Sequence, residues 1–242
     1  MPYRRLPNTD QARIFALKKA ISMEGYKEND QLVLSYRTIQ DASQFLNKFE
    51  KAHRHYTQCY ALQSKASKNY RTYLRTARLY VSHFIQVLNM AIMRGELRKE
   101  IKEQYGLSID DFNNPDLTSE PSLHEWGERV IKAEDARIAK GGVPVYNPTI
   151  AKVKVHFNIF SEHYFNQKML QSASAKALSE VTAMRTTADV LILDIWNQVE
   201  DIYKDLPTEA KLEACKRFGL IFYYRKSEKA RKAAEQLQDG IF

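Results

Sequence analysis

Glycine and proline are scarce in this chain, eight and seven among 242 residues. So few backbone breakers leave little room for the tight turns of a many-stranded sheet and favour long helices. Cysteine is scarcer still. Cys59 and Cys215 stand far apart, in no CxxC spacing, which excludes a disulfide framework and a cysteine zinc site and suits a reducing cytoplasm. The start, Met1 to Asp10, is basic like the head of a signal peptide but has no apolar stretch behind it. Leu79 to Met93 is the longest uncharged run inside the expected helices. It is too short to span a bilayer and contains Ser82, His83, Gln86 and Asn89. Also missing are GxSxG, a P-loop, GxGxxG and HExxH, so no reaction chemistry is indicated and no cofactor is expected.

What is present is ordinary globular material, 44% hydrophobic and 27% charged, long enough to bury a core of its own. The net charge of +8 and an isoelectric point near 9.3 invite a polyanionic partner. The charge is unevenly spread. Residues 1–105 hold 19 Lys/Arg against 9 Asp/Glu, whereas residues 106–150 hold 4 against 8. That asymmetry would also serve a head-to-tail dimer.

Helix signals punctuate the chain. Asn8 with Gln11 three residues on reads as a cap, giving a helix over 9–24 that Gly25 ends. From Tyr26 to Arg94 there is neither glycine nor proline. Apolar residues recur there in steps of three and four, including Ala42, Phe45, Phe49, Ala52, Tyr56, Tyr70, Tyr73, Ala77, Tyr80, Phe84 and Val87. Unbroken, such a helix would run about 90 Å, so a fold-back at the small, polar stretch Gln63–Asn69 is expected. A second such stretch runs from Thr149 to Leu206 behind Asn147-Pro148, with the seam Ile150, Val153, Phe157, Phe160, Tyr164, Leu178, Val181, Ala188, Ile192, Ile195, Val199 and Ile202.

Shifting the first stretch by 108 residues lays Phe49 on Phe157, Tyr56 on Tyr164, Tyr70 on Leu178 and Phe84 on Ile192. His55–Ser64 and His163–Ser172 share five of ten residues, including His, Gln and Ser, which amphipathic periodicity does not require. The expectation is an all-α, up-down bundle of two pseudo-repeated helical hairpins in a single domain over 1–242. The first hairpin takes about 35–95, an acidic connection 96–146, the second hairpin 147–206 and C-terminal helices 207–242.

Within the connection, a short helix over 97–105 ends at Gly106, and Thr118 or Ser119 caps a helix through Ala139 that Gly141-Gly142 closes. Val143–Tyr146 reads as extended. Pro207 starts a helix that Gly219 stops, Leu220–Tyr224 is strand-like, and Ser227 opens a basic terminal helix. At most one short strand pair is expected, for which these two extended pieces are the candidates.

Tyr80-Val-Ser-His-Phe-Ile-Gln-Val-Leu-Asn-Met-Ala-Ile92 and Val143-Pro-Val-Tyr-Asn-Pro148 resemble segments of uncharacterised bacterial helical proteins. The resemblance implies a bacterial cytoplasmic protein and carries no activity with it.

Three functional leads follow from the residues. Arg4, Arg5, Lys18 and Lys19 at the front, and Lys216, Arg217, Tyr223, Tyr224, Arg225, Lys226, Lys229, Arg231 and Lys232 at the back, mix cations with aromatics as a nucleic-acid binder would. Glu50-Lys-Ala-His53 has the Glu-x-x-His spacing of carboxylate-bridged metal bundles, but its repeat mates are Asn158 and Ser161, so the second half of such a site is missing and no metal is expected. Fourteen tyrosines and six methionines suit protein–protein contact, although many of the tyrosines fall on the seams; Trp126 and Trp196 point neither way. The sequence therefore favours a non-enzymatic interaction or scaffold protein, binding another protein or itself, with nucleic-acid binding as the alternative.

Overall fold

The computed structural model describes residues 3–28 and 30–224. The expected helix from Ser227, and with it Arg225, Lys226, Lys229, Arg231 and Lys232, lies outside the described residues. In order, the chain forms β1 (Tyr3–Arg4), α1 (Asp10–Ile21), β2 (Lys27–Glu28), β3 (Gln31–Leu32), α2 (Tyr36–Met93), a 3-10 helix (Lys99–Tyr105), α3 (Glu120–Ala139), α4 (Ile150–Ile202), α5 (Thr208–Arg217) and β4 (Phe222–Tyr223). Of the described residues, 72% are helical. Among the described residues no helix is long and apolar enough to cross a membrane.

The hairpins do not form. α2 is one helix of 58 residues and α4 one of 53, about 87 and 80 Å long at the α-helical rise. The stretch Gln63–Asn69 is polar but contains no glycine or proline, and Gln, Lys and Ala are good helix formers. Breaking the helix there would forfeit a turn of backbone hydrogen bonds with no residue to stabilise the bend. Part of this polar stretch faces the neighbouring helix, where the Ser67 hydroxyl accepts from Gln167 of α4 at 3.0 Å. The Gly/Pro-free reach back to Tyr26 does end in other structure, the β2–β3 hairpin, because Ser35 caps α2: its hydroxyl accepts from the Thr38 N–H at 3.1 Å.

The described chain divides into two compact units. The first comprises residues 1–58 and 175–242, the second Cys59–Ser174. In the first, Ile39, Ala42, Leu46 and Phe49 of α2 pack with Val181, Ala188, Ile192, Ile195, Trp196 and Val199 of α4, and Leu17 and Ala20 of α1 and Phe218 close over them. Thr9, not Asn8, caps α1: its backbone is extended and its hydroxyl accepts from the Ala12 N–H at 3.2 Å. The helix ends at Ile21, and residues 22–25 form the turn that Gly25 completes at φ +73°. Leu220–Tyr224 does supply a strand, but its partner is the N-terminal one, with Tyr3 opposite Tyr223 and Arg4 opposite Phe222. With β2–β3 there are therefore two small sheets where at most one was expected.

Four charges hold α1 against α4. Arg13 forks onto Asp189 at 2.8 and 3.0 Å, Arg185 forks onto Asp10 at 2.8 Å for both bonds, and Arg13 lies 3.6 Å from Asp10. The Arg185 hydrogen bonds, with the charges of Arg185 and Arg13, hold the Asp10 carboxyl below its ordinary range despite the opposing effect of burial. Because the folded pKa is depressed, this contribution is complete above the unfolded value near 3.8 and is lost as the pH falls through the folded one. Asp10→Asn is therefore expected to lower stability at neutral pH and to flatten the acid limb of stability against pH. Urea melts from pH 7 down to about 2.5 read this; parallel wild-type and variant curves would refute it.

In the second unit, Tyr70, Ala77, Val81, Phe84, Ile85 and Leu88 of α2 pack with Ile150, Val153, Phe157 and Phe160 of α4 and with Leu123 and Val130 of α3. The expected punctuation of the connection is present. Gly106 takes φ +71° after the 3-10 helix, Ser119 caps α3 through the Ser122 N–H at 3.2 Å, and Gly141 turns the chain at φ +85°. Gly127 lies inside α3 because the Phe157 ring occupies the space its Cβ would need, 2.1 Å away. Asn147-Pro148 is a cis peptide one residue ahead of Thr149, and α4 starts at Ile150, so this proline is not the first helical residue. The charge asymmetry along the sequence disappears at this level. The acidic connection folds into the same unit as the basic second half of α2, leaving 16 Lys/Arg against 12 Asp/Glu there and 21 against 17 in the first unit.

Candidate functional site

The first unit gathers the cationic and aromatic residues of both chain ends. In the β1–β4 ladder successive side chains alternate between faces. One face carries Arg4 and Phe222. Arg4 is fully engaged there: Nη1 donates to Glu200 at 2.8 Å and Nη2 to Asn197 at 2.6 Å, so it ties the sheet to α4 rather than offering charge to a ligand. The opposite face carries Tyr3, Arg5, Ile221 and Tyr223, joined where the Arg5 N–H donates to Ile221 O at 3.3 Å. Tyr3 and Tyr223 are 47% and 43% exposed, their ring centroids 6.3 Å apart at 35°. Arg5 is exposed and makes no ion pair among the described residues.

α5 delivers Lys216 and Arg217, both exposed, in its last turn. The chain then turns at Gly219, φ +87°, against α1, where an added Cβ would lie 3.1 Å from the Lys19 Cβ. Lys19 in turn sets its ammonium 5.8 Å from the Phe15 ring, and that ring is exposed. The front and back clusters of the sequence thus converge, with Arg4 consumed in the process and Lys18 paired to Glu50 at 2.5 Å. Tyr224 is half-buried. Sequence reasoning missed Tyr3 and Phe15; the only available signal was their spacing, two before Arg5 and four before Lys19.

Glu50 and His53 line a small polar cleft of about 200 Å³ with Gln11, Lys18 and Arg54. The Lys18 ammonium holds the carboxylate that a metal would need. Among the described residues no group of three or more His, Cys, Asp or Glu side chains is placed to bind a metal ion. Burial pushes the Cys215 thiol up to about 11, which keeps it protonated and unreactive.

The second unit carries a larger, mainly apolar cleft of about 450 Å³, which no motif announced. Its floor is Val87 and Ala91 of α2, and its far wall is the segment 143–147. At its mouth Arg94 forks onto Glu96 at 2.6 and 3.0 Å, so the two charges cancel. The far wall is held from behind. Glu134, fully buried, accepts from Arg137 Nε and Nη2 at 2.8 Å, from the Tyr105 hydroxyl, and from the Val145 N–H at 3.1 Å. Arg137 Nη2 also donates to Val143 O at 2.7 Å. Val143–Tyr146 does not pair with β4: it belongs to the second unit, where α3 side chains bond Val143 O and the Val145 N–H, and β4 belongs to the first. Burial alone would raise the Glu134 pKa, but the donors from Arg137, Tyr105 and Val145 outweigh it and keep the carboxylate ionised. Burial, and the hydrogen bond to that carboxylate, push the Tyr105 phenol up.

The wall so fixed presents apolar surface to solvent. Val143 is 65% and Tyr146 74% exposed, and Met90 and Met93 are exposed on the last turns of α2. Comparison with protein-family models, with curated proteins and with solved structures finds no match.

Proposed function

We propose that this chain is a non-enzymatic interaction protein of the bacterial cytoplasm, a helical scaffold whose second unit receives apolar side chains of a partner protein. The observation that carries the reading is the cleft beside Val143 and Tyr146. A fully bonded ionic cluster is buried beside an irregular segment that sinks Val145 into the core and leaves Val143 and Tyr146 in water. Single exposed apolar residues are commonplace on protein surfaces, but a rigid apolar cleft with exposed aromatic and methionine neighbours matches the hot-spot anatomy of interfaces. The recurrence of the seam at a spacing of 108 residues, with Phe49 and Phe157 both buried, supports an internal duplication as the origin of α2 and α4. Installing a photo-crosslinking benzoylphenylalanine at Tyr146 in the source cell tests the function. A discrete adduct from that position, absent when the probe replaces the exposed Tyr36 of the first unit, is the expected result. No adduct at Tyr146 would remove the reading.

A second reading, nucleic-acid binding through the first unit, is favoured by one specific observation, the convergence of Arg5, Lys19, Lys216 and Arg217 with Tyr3, Phe15 and Tyr223. Fluorescent DNA and RNA titrated across salt test it. A steep fall of affinity with salt supports phosphate contacts, and no binding at low salt rejects them.

A further inference from the structure

We infer that the outward face of the β1–β4 sheet is a stacking platform for single-stranded nucleic acid, with the Tyr3–Tyr223 pair taking bases and Arg5 beside it the adjoining phosphate. The inference rests on the nucleic-acid reading of the first unit and deepens it.

Two physical arguments select this ligand. The first is the state of the cations. Among the described residues, Arg4, Arg13, Lys18 and Arg185 each sit on a carboxylate. Arg5, Lys19, Lys216 and Arg217 have no such partner among the described residues, and those are the cations that lie on, or lead into, the sheet face and its α1 neighbour. Exposed rings on a sheet edged by Arg5, with unpaired cations on the adjoining α1 and α5, are complementary to a polyanion that also carries aromatic surface.

The second is the state of the rings. Tyr3 and Tyr223 face each other across the ladder with nearly half of each side chain in water, and a sheet holds them in register where a loop would not. Bases of a single strand have free faces to lay on such rings, whereas those of a duplex are already stacked on one another and expose only edges and phosphates. A surface serving charge alone would have no need of the tyrosine pair. Arg5, one step past the end of β1 and bonded there to Ile221 O, lies to one side of the tyrosine pair on the face that alternation gives it, placed to meet the phosphate next to a stacked base.

The test uses the full chain and labelled oligothymidylate, compared by fluorescence anisotropy with a duplex of equal length over a range of salt. Tighter binding of the single strand is expected. Tyr223→Ala should weaken it about tenfold with the salt slope unchanged. Arg5→Gln should reduce the slope of log affinity against log salt by about one. Both side chains are exposed, and unchanged thermal melts of the variants would show that folding is intact. A preference for duplex, or nucleic-acid binding that Tyr3→Ala, Tyr223→Ala and Arg5→Gln all leave untouched, would overturn the platform while leaving the broader reading standing. Absence of any binding at low salt would overturn both.

Discussion

Glu134→Ala is expected to destabilise the second unit by about 3–5 kcal/mol, because it leaves a guanidinium buried without its counter-charge. Arg137 spends both Nε and Nη2 on this carboxylate and retains only Val143 O and the Tyr105 hydroxyl once it is gone. The Val145 N–H, bonded to the same carboxylate, loses its partner too. For a protein of this size such a loss corresponds to a fall of roughly 10 °C or more in Tm. The double variant Glu134→Leu/Arg137→Met separates this cause from mere loss of packing. With both charges removed, no unpaired ion remains, and the pair should cost less than Glu134→Ala alone. Thermal and urea melts of the three proteins decide the matter; a double variant no better than the single would mean that shape, not charge, holds the segment. Because the cluster fixes Val143 and Val145, the double variant should also lose the Tyr146 crosslink even where it remains folded.

That cluster shows where sequence reading stops. Glu134-x-x-Arg137 is visible as a helical i,i+3 pair, and such pairs are ordinarily solvated and worth little. Nothing in the pair's own helix says that this one is buried, because its burial comes from Tyr105, 29 residues before Glu134, and from the loop 143–145 that folds back beyond the end of α3. A related reason explains the wrong partner given to Leu220–Tyr224. Strand propensity is local, but its partner is the N-terminal strand at Tyr3–Arg4, at the other end of the chain. Arg4 is the mirror case, a plausible phosphate ligand in sequence whose charge is met by Glu200, 196 residues away. Signals that act within a few residues were legible: Gly106, Ser119 and Gly141 mark the ends the sequence assigned them. The fold-back failed for a related reason. It was inferred from length and polarity, and neither breaks a helix; Gln63–Asn69 has no glycine or proline, and Ser67, of a type that could cap, bonds Gln167 of α4 instead.

The seam itself yields the second large effect. Phe49→Asp should cost more than about 5 kcal/mol, the loss of a buried phenyl ring together with the burial or forced exposure of a charge. That is comparable to the whole stability of an ordinary domain, so the first unit should not fold. Phe49 is fully buried among Ala42, Leu46 and the α4 residues Val181 and Ala188, with the Phe45 ring stacked on it at 5.6 Å. Its mate Phe157 fills the space above Gly127 in the second unit and touches the Phe160 ring, so Phe157→Asp should be equally severe there. Composition and helix type do not distinguish these positions from Phe165, eight residues further along α4 and mostly exposed, where only ring contacts to His124 and Tyr164 at 5.1 and 5.3 Å are lost, so Phe165→Asp should cost about 1 kcal/mol. Hydrogen exchange read by mass spectrometry checks both size and place. Phe49→Asp should release the amides of α1 and α5, Phe157→Asp those of α3, and Phe165→Asp neither. If Phe165→Asp proved as damaging as Phe157→Asp, the exposed side of α4 would have to be covered in solution. The search for a partner would then move from the cleft to that helix face.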